Sequence, residues 1–123
     1  MVDRMSADSL RDMHGLAARV TEELNSFGFL LAVEESGGFV VELDAGDDGA
    51  GGVYVRWKNP TSVSSKVGEM IRNKELESPF LAQAARFSSE IQQVLASSLS
   101  LRGFLVELED DMRPFGVRVI SGQ

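Results

Sequence analysis

The chain contains no cysteine and a single histidine. The first absence removes disulfides, thiolate nucleophiles, CxxC redox pairs and every zinc site that needs a thiolate. The second leaves His14 without a histidine partner, and no Gly-x-Ser-x-Gly elbow occurs, so the familiar nucleophile and base combinations cannot be assembled. His14 also lies beside the apolar stripe of the first predicted helix instead of within it, which places it at the surface. No GxGxxG follows a strand and no GxxxxGK[ST] is present. The glycines that do cluster, Gly49, Gly51 and Gly52, lead into a strand, whereas a phosphate loop must lead into a helix N-terminus. No catalytic residue, cofactor site or metal site is expected.

Positive charge is scarce: 12 Lys and Arg against 19 Asp and Glu give a net charge of -7, with a pI near 4.6. Such a chain repels a phosphate backbone, whose affinity for proteins comes from clustered Lys and Arg displacing counterions, so no nucleic-acid partner is expected. Long apolar runs are missing as well. No window approaches the ~18 apolar residues of a membrane span, and residues 1–6 lack the apolar stretch of a signal peptide. The expectation is a cytoplasmic protein with no membrane partner.

What is present suffices for one core. With 123 residues, 43% of them hydrophobic and 25% charged, the chain is read as a single domain spanning 1–123. Nine arginines against three lysines, with much Ala, Val and Gly, point to a bacterial source with a GC-rich genome.

Periodicity supplies the elements. Leu10, Met13, Ala17, Val20, Leu24 and Phe27 recur at spacings of three and four, predicting a helix over 6–27 with Ser6 capping its start and Gly28 its end. Phe29, Leu31 and Val33, then Phe39, Val41 and Leu43, alternate with a period of two around Ser36-Gly37-Gly38, which predicts a hairpin. After a glycine and aspartate loop over 46–52, Val53, Val55 and Trp57 alternate with Tyr54, Arg56 and Lys58 in a third strand, completing an expected antiparallel meander. Asn59-Pro60 ends that strand, and Thr61 or Ser62 is the expected cap of a short helix carrying Val63, Val67, Met70 and Ile71. Ser78-Pro79 opens a long helix with Leu81, Ala84, Phe87 or Ser88, Ile91, Leu95 and Leu99, stopped by Gly103. Two final strands follow, over 104–109 and 117–120. The junctions at Phe27-Gly28-Phe29 and Arg102-Gly103-Phe104 match in outline.

Three constellations bear on function. The stretch from Asp44 to Gly49 has the glycine and aspartate content of a calcium loop, but its third position is Gly46 and its twelfth is Val55, so one ligand and the bidentate glutamate are missing. Glu107, Glu109, Asp110 and Asp111 are read as a solvated hairpin tip that discourages pairing between molecules. Tyr54, Arg56 and Lys58 are the distinctive set: a ring beside two cations on one strand face of an acidic protein, read as a partner-binding row, with cross-strand pairing to residues such as Glu42 as the purely structural alternative. Leu30, Ala32, Val40, Leu105 and Ile120 fall out of phase with the core-facing positions and are expected on the outer sheet face, where uncovered apolar area marks a partner surface.

The expected fold is α+β: a mainly antiparallel five-stranded sheet with two or three helices packed on one face, in the order α-β-β-β-α-α-β-β. That succession is similar to the α-β-β-β-α-β-β order of the small acidic chaperones of type III secretion, with two helices where that pattern has one and without its closing helix. The resemblance implies a dimer that holds an extended client segment. The outward apolar residues, the Tyr54-Arg56-Lys58 row and the absence of catalytic motifs predict a non-catalytic interaction module, chaperone-like or adaptor, homodimeric and engaging a protein partner through an exposed sheet face or edge strand. The alternative is a small-molecule-binding or hydrolytic domain with its pocket between sheet and helices.

Overall fold

Seven elements form in a computed structural model that describes residues 7–44, 52–108 and 116–121. They are α1 (Ala7–Ser26), β1 (Gly38–Asp44), β2 (Gly52–Lys58), α2 (Thr61–Arg72), α3 (Pro79–Leu101), β3 (Leu105–Leu108) and β4 (Gly116–Ser121). The strands build one four-stranded sheet in the order β1-β2-β4-β3, with every neighbouring pair antiparallel. The fold is α+β.

The stripe on α1 is buried as the periodicity requires: Met13, Ala17, Val20 and Leu24 all enter the core. Alternation on the strands adds Phe39, Val53, Val55, Val117 and Val119, and α3 contributes Leu95 and Leu99. Register keeps these side chains on one face, with Phe39 opposite Trp57, Val41 opposite Val55 and Val53 opposite Val119. Each fully buried Leu or Val contributes roughly 1.5–3 kcal/mol relative to an exposed one. Both α1 and α3 pack against the sheet, while α2 packs on α3 and buries no residue completely.

The two long helices stop by the same device. Gly28 and Gly103 adopt φ of 100° and 95°, a left-handed conformation that costs glycine little. Phe29 then donates its N–H to the Leu24 carbonyl at 3.1 Å, and Phe104 donates to the Leu99 carbonyl at 3.0 Å. Gly28 and Gly103 donate to Asn25 and Ser100, which completes two Schellman caps. Arg102 joins the two helix ends by a forked pair with Glu23, at 2.9 and 3.2 Å, and lies over the Phe27 ring. Phe27, expected in the core, is exposed instead.

The five-stranded expectation is overturned: residues 29–33 do not form a strand. Leu31 makes one parallel bridge to Phe39, and Val33 one antiparallel bridge to Ser36. The chain turns at Glu34, which has φ 40°, and Ser36 donates to the Val33 carbonyl at 2.8 Å. The parallel sense of the Leu31 bridge requires a second reversal at Gly37-Gly38. Parallel neighbours need a crossover of roughly a dozen residues to extend their ladder, and the few residues between Val33 and Phe39 cannot supply it. The order is therefore α-β-β-α-α-β-β, one strand short of the three-strand run on which the chaperone likeness rests. The expected meander reduces to the β1-β2 hairpin, since β2 pairs on its other side with β4.

Two caps also differ. Pro60, not Thr61 or Ser62, is the N-cap of α2 and offers no side-chain bond; the Thr61 N–H instead donates to the Glu35 carbonyl at 2.9 Å. Ser78 caps α3 as expected, accepting from Phe80 N–H at 3.2 Å. The expected cap Ser6 lies outside the described residues. Of the alternatives on α3, Ser88 turns inward and Phe87 is exposed.

Candidate functional site

Peptide groups along a strand point alternately to its two edges, so each residue's N–H and C=O belong to one neighbour or the other. On β1, Phe39 turns outward: it donates to the Leu30 carbonyl at 3.0 Å and accepts from the Ala32 N–H at 2.9 Å. The alternation then directs the N–H and C=O of Val41 and Leu43 to the same outer edge. Among the described residues no backbone hydrogen bond takes those four groups. Residues 30–32 thus cover only the beginning of the edge.

Glycine makes that partial cover possible. A Cβ on Gly38 would collide with the Leu30 carbonyl oxygen and stand 2.8 Å from the Ala32 nitrogen. One on Gly37 would stand 2.7 Å from Pro60 Cδ. Leu43, on the uncovered part of the edge, is exposed, as is Leu31 on the covering segment, and Leu30 and Val33 are more so, at 72% and 62%. Glu34 and Glu35, in the turn that follows, are exposed acids.

The predicted row lies next to this edge, on the face of the sheet away from α1 and α3. Tyr54 stands opposite Glu42 on one side and Arg118 on the other, and is only 3% exposed. Arg56 Nε donates to Glu42 Oε1 at 3.2 Å, the cross-strand pairing expected of a purely structural row. Lys58 Nζ donates to the Glu34 carbonyl at 2.8 Å. A second pair on the same face, Arg118 with Glu107 at 3.3 Å, continues the alternation of charge across the sheet. Burial of Tyr54 on an outer face carries no signal in an alternating strand pattern, and sequence reasoning missed it.

The apolar residues expected on this face do not form one patch. Leu30 and Ala32 lie beyond β1, Leu105 and Ile120 lie on β3 and β4, and the charged rows of β2 and β4 run between them. Val40 is half-buried beside Arg56, its register partner.

His14 is exposed. Residues 45–51 and 109–115, which hold the glycine and aspartate loop and most of the second acidic run, lie outside the described residues. Among the described residues no cluster of three or more His, Asp or Glu is placed to hold a metal ion, and no helix is long and apolar enough to cross a membrane. Compared with protein-family models, curated proteins and solved structures, the chain matches none.

Proposed function

We propose that this protein is a non-catalytic interaction module that takes up an extended segment of a partner protein along the outer edge of β1. The observation that carries the reading is the set of outward main-chain groups at Val41 and Leu43, which an added strand would satisfy. Exposed Leu31, Val33 and Leu43 supply apolar contact for alternate side chains of the incoming strand. Of the predicted row Tyr54, Arg56 and Lys58, Tyr54 is buried, and Arg56 and Lys58 form the adjoining partner-binding side chains: outer-face side chains of the added strand would lie beside Val40 and Glu42, next to Arg56. The exposed acids Glu34 and Glu35 favour a segment that carries Lys or Arg beside their turn. Two β1 edges pairing antiparallel about Glu42 would oppose like charges, so the segment comes from a different protein.

Substitution Leu43→Pro tests this. It removes an outward N–H while leaving the β1-β2 ladder bonds in place, which proline tolerates on an edge. The tagged wild type is expected to retain its partner from the native host, with Val41 and Leu43 amides protected from hydrogen exchange in the complex. Leu43→Pro is expected to lose about tenfold in affinity with an unchanged circular dichroism spectrum. Equal retention by a folded variant would sink the edge reading; Arg56→Glu tests the outer row in the same way.

The homodimer belongs to a second surface. Phe87, Val94 and Leu101 are exposed on α3 at intervals of seven residues, and Phe27 of α1 adjoins the last two. An exposed apolar residue every seven positions supplies one of the two apolar positions of a helix-pairing repeat, and Phe27 adds a contact beside it. Val94→Glu should convert a dimer to a monomer in sedimentation, and a wild type monomeric at high concentration would remove the proposal.

A further inference from the structure

Trp57 is the sole tryptophan and stands near the end of β2, where the chain leaves the sheet for α2. Its ring meets Phe87 of α3 edge to face, with centroids 6.0 Å apart and planes at 74°. The indole N–H is already engaged, donating to Asn59 Oδ1 at 3.1 Å. Around this pair Pro60, Val63, Phe80 and Ala84 line an open cavity of about 400 Å³, with Asn59 and Gln83 its polar lining. That volume falls among small-ligand sites, which are largely apolar and run to roughly 300–1,000 Å³.

Two helix N-termini and one lysine lie at the margin of the cavity. Pro60 is the N-cap of α2 and Phe80 lies in the first turn of α3, so two helix N-termini border the space. Helix N-termini carry partial positive charge, which acidic side chains in the first turn commonly offset. Neither first turn has one, although the chain has 19 acidic residues. Lys66 extends the same sign: its Nζ lies 4.3 Å above the Phe80 ring, and no ion pair among the described residues takes it up. Among the described residues no acidic side chain lines the cavity.

An open, mostly apolar and aromatic cavity with Lys66 beside its Phe80 wall suits one chemistry, an apolar body ending in a negative charge. We propose that this cavity binds a medium-chain or aromatic monocarboxylate, its body against Trp57, Phe80 and Phe87 and its carboxylate at the Lys66 side. The site does not depend on the β1 edge, and neither reading falls with the other.

Trp57 reports on its own site, being the only indole in the chain. The full-length protein is titrated with octanoate, 1-octanol and octylammonium while tryptophan emission is followed. Octanoate is expected to give a saturable change and to bind about fivefold more tightly than 1-octanol, with octylammonium weakest. Lys66→Gln, at an exposed position, should lower octanoate to the affinity of 1-octanol and leave the alcohol unchanged. Ala84→Leu, which keeps helix propensity and fills the cavity, should abolish the saturable response to both. Octylammonium binding as tightly as octanoate, a response that never saturates, or an undiminished response in Ala84→Leu would overturn the proposal. Tighter binding of 1-octanol than of octanoate would assign the cavity to an uncharged apolar group and overturn the carboxylate.

Discussion

The ends of α1 and α3 carry the same cap, yet the segments beyond them differ. After Gly103, Phe104 is buried and residues Leu105–Leu108 become β3. After Gly28, Phe29 is half-buried and the next residues make a single parallel bridge. The local signals are alike: a leucine in the core, a left-handed glycine, a phenylalanine and an alternating apolar run. The neighbour met by each run separates the outcomes. The segment after α3 finds β4 returning antiparallel, and each residue added extends a ladder. The segment after α1 meets its own continuation running the same way, with too short a connection to extend the pairing. A helix stop therefore fixes where the chain leaves and leaves open what it joins.

The comparison can be broken most severely in the core. Leu24→Ala and Leu99→Ala, both at nearly inaccessible positions, are each expected to cost about 3 kcal/mol in urea unfolding, and near-equal losses would show that the two caps rest on equivalent packing. A much smaller loss at Leu24 would mean that the α1 end relaxes around the cavity. Gly38→Ala should follow at about 2 kcal/mol, since the added carbon meets backbone that cannot give way. Hydrogen exchange would then show Ala32 and Phe39 amides losing protection while the β1-β2 ladder keeps its own. Unchanged protection would contradict the close approach.

Smaller effects sharpen the likeness. Gly28→Ala and Gly103→Ala should each cost about 1 kcal/mol, because both force a side chain into a left-handed conformation. A cost at one site alone would break the equivalence. Arg102→Ala should lower stability by less than about 1 kcal/mol, reduced further by salt, as a partly exposed ion pair between the two ends. A thermal melt in low and high salt would separate its charge from its packing over Phe27.

Much of the helical layer was legible in the sequence. The stripe from Met13 to Leu24 and the Ser78-Pro79 start depend on spacing and local hydrogen bonds, which a sequence displays. Residues 29–33 were not legible, because alternation shows that a segment is half-buried without naming its neighbour. Phe29 does pack against the core, so the pattern was met by packing without a ladder. The Tyr54-Arg56-Lys58 row was placed on one face correctly, but the depth of Tyr54 depends on Glu42 and Arg118 alongside it, and Arg118 is far away in the chain. The cavity at Trp57 was invisible for a similar reason, since its walls come from β2, α2 and α3.

Gln92 is the one buried polar side chain among the described residues, and its amide donates to the Gly116 carbonyl at 2.8 Å. Gly116 is the first residue of β4. A slip of one position would turn Val117 and Val119 out of the core and leave a buried amide without an acceptor. The helix thus counts the strand for the hairpin, like a tooth holding a ratchet. A one-residue shift of β4 is therefore opposed by α3 as well as by the two strands beside it.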